Sequence, residues 1–278
     1  MEFLEANEGA VRLCVFIGVF ALMAGLETLF PRKERALPRF RRWLTNSLLV
    51  VVDTVALRVL VPVLAAGMAA IAARHGWGLF NLLGAPLWVE IALAVALLDL
   101  SVYAQHVATH KIPILWRLHK VHHADRDIDV TTGVRFHPVE IVLSMAYKLV
   151  VVIVLGPAVV AVILFEVILN ASAMFNHANV KLPLGLDRAL RMGIVTPDMH
   201  RVHHSVLRKE TDANYGFFLS IWDRLFGTYI AQPESGHDGV TIGLPDYQTD
   251  KPGELLWSLA LPFQPQKAPV DQAGVRGQ

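Results

Sequence analysis

Apolar residues in this chain come in long blocks separated by short polar stretches. The first block covers residues 13–30 and is interrupted only by Glu27. About 20 residues at about 1.5 Å rise each cross a bilayer, so this block predicts a membrane helix. The second block, 48–73, carries Asp53 and Arg58; the third, 87–104, carries Glu90 and Asp99. The fourth, 141–155, meets Gly156-Pro157 and continues as 158–174. Gly-Pro is a turn signal, so these two arms predict a tight helical hairpin. Both arms are short for full spans, which fits either tilt or entry into one leaflet and return. The ionisable residues within the blocks (Asp53, Arg58, Glu90, Asp99 and Glu166) are expected to face the protein interior or a cavity. After Tyr229 the chain turns polar and rich in Pro and Gly, with one amphipathic turn near 255–261. The pattern predicts an all-α integral membrane bundle of four to five membrane helices, one of them a hairpin. It divides into a membrane-embedded domain, 1–232, and a cytoplasmic C-terminal tail, 233–278.

Orientation follows from Lys and Arg. Arg32, Lys33, Arg35, Arg39, Arg41 and Arg42 lie between the first two blocks, whereas the loop between the second and third has only Arg74. The positive-inside rule puts the 32–42 loop in the cytoplasm. Counting crossings from there delivers residues 106–123 and 200–204 to the cytoplasmic side. The acidic start, MEFLEANEGA, lacks a basic region and a small-residue cleavage site, which predicts a retained span rather than a cleaved leader. No retention or lipidation motif ends the sequence, which fits a bacterial inner membrane, or the endoplasmic reticulum in a eukaryote.

Composition sharpens this picture. Hydrophobic residues make up 54% of the 278 positions and charged residues 18%, the greasy side of a soluble domain's usual balance. A formal net charge of +1 argues against nucleic-acid binding by bulk electrostatics. The single cysteine, Cys14, excludes a disulfide framework, a Cys-rich zinc module and a cysteine-ligated iron–sulfur cluster.

Histidine carries the chemistry. Ten of the 12 histidines fall between His106 and His204. His106 and His110 form HxxxH; His119, His122 and His123 form HxxHH; His200, His203 and His204 form HxxHH again. On a helix, positions i, i+3 and i+4 share a face. At this histidine content one HxxHH is expected roughly 0.02 times by chance, and it occurs twice. Thr196-Pro197-Asp198 supplies an N-cap, an N1 proline and an early acid for a helix under the last pattern. Eight imidazoles are too many for one first-row ion and suit two, with positions left open. No HExxH, GxSxG, P-loop or GxGxxG appears, and Glu234-Ser-Gly-His237 is a coincidental Glu-x-x-His in a loop.

At these residues the chain resembles the fatty acid hydroxylase superfamily, also called the sterol desaturase family. The resemblance runs from about residue 27 to 229. It rests on the three histidine patterns and their surroundings: Leu115-Trp116-Arg117-Leu118-His119, Arg135-Phe136-His137-Pro138-Val139-Glu140, Asn176-His177-Ala178-Asn179, Thr196-Pro197-Asp198-Met199-His200, Asn214-Tyr215-Gly216, and Trp222-Asp223 through Thr228-Tyr229. It implies an integral membrane enzyme whose two iron ions use O2 and external electrons to hydroxylate a lipid C–H bond. Its ligands by position are His106, His110, His119, His122, His123, His200, His203 and His204. The family's further HxxxH is absent here; His177 stands near its place, and His177 and His137 are additional ligand candidates.

Other residues are expected in supporting roles. Asp99, seven residues before His106, either orients a ligand imidazole or makes a polar contact between helices. Asn179 and Asp198 are expected beside the ligands. Asp125, Asp127 and Asp129 alternate in a polar stretch and read as a solvated loop. His75 and His237 read as surface residues, and the aromatic residues near 217–229 as packing or channel lining. The partners implied are a membrane lipid and a separate electron donor such as a reductase, ferredoxin or cytochrome-type carrier. Rival readings are a desaturase with the same site, a zinc-dependent membrane hydrolase and a non-catalytic metal-binding protein.

Overall fold

A computed structural model of the chain describes residues 2–265. The main helices are α1 (Glu8–Leu29), α2 (Arg39–Leu60), α3 (Ala65–His75), α4 (Leu87–Lys111), α5 (Pro113–His123), α6 (Pro138–Leu155), α7 (Val159–His177), α8 (Pro197–His203) and α9 (Leu255–Ala260). Among the described residues, extended pairing is limited to isolated bridges such as Pro31 with Val180. Among the described residues, five stretches are long and apolar enough to cross a membrane: Glu8–Leu29, Arg39–Leu83, Leu87–Lys111, Pro138–Leu155 and Val159–His177. The fold is a membrane helical bundle.

The second block differs from one continuous helix. The chain leaves helical geometry between α2 and α3, where Pro62 cannot donate the backbone bond a helix needs. The hairpin forms between α6 and α7. Gly156 closes α6 at φ 58°, the left-handed geometry that glycine adopts without strain. Gly156 is also a close-approach position. A β-carbon there would stand 2.1 Å from the Trp77 carbonyl oxygen, and Asn81 Nδ2 donates to the Gly156 carbonyl at 3.0 Å. The turn after α3 and the hairpin tip therefore meet at one end of the bundle.

The opposite end gathers the C-termini of α1, α4 and α7, the N-termini of α2 and α6, and the helices α5 and α8. The basic 32–42 loop stands there too: Arg32 Nε donates to Asp198 at the start of α8 at 3.1 Å. α7 is the central helix. Half of its apolar window is buried, against 6% for α1, and Val162, Ile163 and Phe165 join Leu98, Met145 and Val152 in the main core.

Three of the acids within the spans are paired, whereas Asp53 Oδ1 is buried without a partner among the described residues and Arg58 is exposed rather than facing the interior. Glu27 is fully buried, accepts from Arg35 and Arg39, and accepts the backbone N–H groups of Val130 and Asn179. Glu166 pairs with Arg12 and Lys148. Glu90 accepts the Ala158 N–H at 2.6 Å, capping α7.

The acidic stretch is not a solvated loop. Asp125, Asp127 and Asp129 are all buried. Arg42, itself 1% exposed, donates to both oxygens of Asp125 at 2.7 Å, to Asp129 at 2.5 Å and to the Asp127 carbonyl at 2.8 Å. Asp127 turns the other way and accepts the N–H groups of Ala36 and Leu37 at 2.8 Å. The alternation reflects an extended turn wrapped around one guanidinium. Arg135 extends the same lattice to the Val121 carbonyl, Asn46 and the Pro252 carbonyl.

Residues 233–265 dock against this end rather than hanging free; the rest of the expected tail, 266–278, lies outside the described residues. Thr45 donates to the Gly253 carbonyl, Ser258 accepts from Arg135, and Arg117 donates to the Pro262 carbonyl. The expected turn near 255–261 is α9 and the short 3-10 helix after it. His237 is buried rather than at the surface, with Nε2 3.7 Å from Asp198; His75 is exposed and stacks on Trp77.

Candidate metal centre

Nine histidines converge at the basic end of the bundle as two adjoining groups. His106, His110, His119, His123 and His203 form one; His122, His177, His200 and His204 form the other. Within each group, one nitrogen per ring lies within 4.8 Å of all the others, and every ring is buried. The groups share a wall: the His123 and His204 rings stack at 4.6 Å, and the His200 and His203 rings stack at 5.0 Å.

Helix geometry explains the sorting. Residues i and i+4 are about 40° apart around a helix, while i+3 swings about 60° the other way. In α5 the i,i+4 pair, His119 and His123, joins the five-histidine group, and His122 crosses to the other. At α8 the roles reverse: His200 and His204 join the four-histidine group, and His203 crosses. Each HxxHH thus serves both groups. α4 contributes His106 and His110 to one, and the end of α7 contributes His177 to the other.

Backbone acceptors fix four of the nine rings. His106 Nδ1 donates to the Tyr215 carbonyl at 2.7 Å, His122 Nδ1 to Arg135 at 3.1 Å, His177 Nδ1 to Ala173 at 2.7 Å and His203 Nδ1 to Ala213 at 2.7 Å. His119 Nδ1 donates to the Glu140 carboxylate at 2.6 Å. A protonated Nδ1 leaves Nε2 with a bare lone pair. Accordingly, Nε2 of His106, His119 and His203 is buried without a protein partner, as are both nitrogens of His123 and His204. In the smaller group His177 Nε2 lies 3.1 Å from His122 Nε2 and 3.0 Å from His200 Nε2. His122 and His177 both donate through Nδ1, so their facing lone pairs repel unless a cation stands among them. Burial, then the neighbouring imidazoles, pushes His122, His123, His200 and His204 well below the ordinary histidine range. Burial likewise drives His203 down to about 3, against the bond to the Ala213 carbonyl. Neutral, desolvated imidazoles with inward lone pairs are metal ligands in waiting. The donor set fits two nitrogen-bound transition-metal ions better than one closed tetrahedral site.

The remaining candidates divide. His137 lies outside both groups. Its Nδ1 caps α6 by accepting the Val139 N–H at 3.2 Å, and its Nε2 donates to the Leu259 carbonyl at 3.2 Å. Proline at 138 sets this N-cap geometry, so the ring points along the helix start. Asp99 reaches no imidazole; it accepts the N–H groups of Phe218 and Leu219 and the Trp222 indole at 2.8 Å. Trp222 is therefore tied to α4. Asp198 accepts from Arg32 and lies 3.7 Å from Arg201. Asn179 accepts from the Lys33 N–H and from Arg201. Both residues anchor α8 from outside rather than touching a clustered ring.

Three supporting residues escaped the sequence reading. Glu140 sits three positions after His137 in the same motif and is the carboxylate that holds His119. Asn214 adopts φ 52° and donates to the Met199 and Ile230 carbonyls at 2.8 Å. Asp223 accepts the Tyr215 and Gly216 N–H groups at 2.7 and 2.8 Å. These two pin the strap whose carbonyls, at Ala213 and Tyr215, orient His203 and His106. Their signal was present in the Asn-Tyr-Gly and Trp-Asp runs, but nothing local tells that their role is to hold backbone.

Comparison with known proteins agrees with this architecture. An ornithine lipid hydroxylase of Rhizobium tropici is 28% identical over 157 residues, 56% of this chain and 46% of that protein. Human alkylglycerol monooxygenase is 32% identical over 155 residues, 55% of this chain and 33% of that protein. Rat cholesterol 25-hydroxylase is 25% identical over 149 residues, 52% of this chain and 48% of that protein. The chain thus spans half or less of the length of these relatives. No solved structure gives a significant match. The fatty acid hydroxylase family matches residues 91–228, from near the start of α4 through the strap, and this stretch contains all nine clustered histidines. The chain belongs to the fatty acid hydroxylase family.

Proposed function

We propose that this protein is a membrane-bound lipid hydroxylase whose nine clustered histidines hold two iron ions. The observation that carries this reading is the pair of inward-facing imidazole groups, with the unshielded His122–His177–His200 nitrogens at the centre of one. Bound iron supplies O2 activation and the oxidation of an unactivated C–H bond, with electrons from a separate donor. The chain supplies the rest. Glu140 and the carbonyls of Ala173, Tyr215, Arg135 and Ala213 fix ring orientation through Nδ1, which keeps Nε2 basic and inward. The surrounding apolar core and the docked 233–265 segment exclude bulk water from the site. The relatives named above act, by their names, on ornithine lipids, alkylglycerols and cholesterol; we extend only the common class, a membrane lipid, to this protein. By the positive-inside rule the histidine end, which carries the 32–42 arginines, faces the cytoplasm, where a soluble electron carrier reaches it.

The test is product formation by purified protein in lipid nanodiscs with an added reductase system. Lipid products gaining one oxygen atom, formed only with both O2 and reductant and absent from His203→Ala, support the reading. Lipid turnover without O2 contradicts it and favours a zinc hydrolase.

A further inference from the structure

A groove of about 270 Å³ lies between α4 and α6, with α5 closing one end. Apart from Glu140, none of its lining takes part in holding the histidine rings. The walls are chiefly apolar, with Ala104, Ala108, Leu115, Leu118 and Leu143 among them. Hydrogen bonds tie the two helices at two levels. Farther from the histidines, the Tyr147 hydroxyl donates to the Ser101 carbonyl at 3.2 Å. One turn nearer, Gln105 Nε2 donates to Ser144 Oγ. One turn nearer again, Thr109 and Glu140 form the inner end. Thr109 donates to the His106 carbonyl at 2.7 Å, and Glu140 holds His119. The groove therefore ends against two residues bonded to histidines of the five-histidine group.

Its outer edge meets the bilayer. Val139, Leu143, Tyr147, Val150 and Val154 are exposed and recur at helical spacing along α6. Such a stripe on a membrane helix faces acyl chains. A cavity that is apolar along its length, with a few placed polar groups, is how small-molecule sites gain orientation and selectivity.

We propose that this groove takes one alkyl chain of a lipid sideways from the bilayer, and that Gln105 and Ser144 select chains bearing a hydrogen-bonding oxygen at their level. The pair sits one helical turn, about 6 Å, from the level of Glu140. Bonded to each other, the two side chains keep two donors, the Ser144 hydroxyl proton and the second Gln105 amide proton, and the Gln105 amide oxygen as an acceptor in reserve. A hydroxyl, ester or amide on the chain uses them; a bare hydrocarbon leaves them unpaired in an apolar wall, which is unfavourable. That the seated chain is then oxidised rests on the hydroxylase reading, but binding and selection do not.

The experiment uses the metal-loaded protein in phosphatidylcholine nanodiscs with two photoreactive probes of equal length, a diazirine-bearing fatty alcohol and a diazirine-bearing alkane. Cross-links are mapped by peptide mass spectrometry in segment 104–118, with the exposed Val150 and Val154 region as the outside standard. The alcohol is expected to label 104–118 about threefold to tenfold more than the alkane, the worth of one ordinary hydrogen bond. Gln105→Leu with Ser144→Ala brings that ratio to about one while alkane labelling persists. Ser144→Phe fills the groove and removes labelling there by both probes, leaving the 150–154 signal intact. Metal content identifies any variant that fails to fold, and Ser144→Ala alone, the mildest change, still lowers the ratio. Absence of wild-type labelling in 104–118, or a ratio unchanged in the double variant, overturns the proposal. Groove labelling without O2-dependent product refutes the hydroxylase reading and leaves the groove; product without groove labelling does the reverse.

Discussion

Single residues decide whether nine imidazoles become ligands. Glu140 hydrogen-bonds a clustered ring at 2.6 Å, closer than Asp212 at 3.5 Å from His110, and Glu140→Leu is expected to weaken metal binding about 10- to 100-fold, as loss of such outer partners does elsewhere. Metal titration of apoprotein measures this; unchanged affinity would mean that Glu140 only fills space. Gly133 acts by what it lacks. A β-carbon there would stand 2.6 Å from the Ala173 carbonyl oxygen and 3.3 Å from His177 Nδ1. Gly133→Ala should therefore displace His177 and lower metal content while the helical circular dichroism stays native. Asp125 sets a pH limit. Burial works to raise its pKa, but the Arg42 guanidinium overrides it and holds the carboxyl at about 2. An unfolded aspartate titrates near 3.9. The pair's contribution is therefore complete above about pH 4 and is lost as pH falls toward 2. Thermal unfolding in detergent should show that loss in the wild type and a shallower slope in Asp125→Asn. The histidine patterns were fully legible as residues. Their sorting was not, because which ring crosses between groups depends on how α5 and α8 face each other.

At the level of elements, hydropathy located all the membrane segments and the hairpin at Gly156-Pro157, because span length and Gly-Pro turns are local properties. It merged α2 with α3, since an apolar run does not reveal a break at Pro62. It also read the 125–129 acids as solvated, because their partner Arg42 lies over 80 residues away in sequence. Charge alternation looks the same whether water or a buried guanidinium answers it. That lattice carries the loop from α5 to α6 and, through Arg135, the acceptor of His122. Arg42→Met leaves Asp125 and Asp129 buried without their main partner and is expected to cost about 3–5 kcal/mol. A melting temperature within a degree of wild type would show that the lattice does not support this end of the bundle.

For the whole molecule, the bundle separates two jobs. One end is a plain turn region, where Gly156 meets the segment after α3. The other collects helix ends, the basic loop and both histidine groups beneath a docked C-terminal layer. For the proposed hydroxylase, this placement lets lipid enter from the side and an electron carrier dock from the water phase. Everything in this account depends on the histidine groups being a two-metal site. The most direct measurement is metal content per chain, by elemental mass spectrometry, on protein purified in mild detergent without added metal or chelator. The account predicts about two irons per chain, lost when His122 and His203 are both replaced by alanine. Folded protein that binds no metal, or that carries stoichiometric zinc and no iron after metal exchange is excluded, would contradict it.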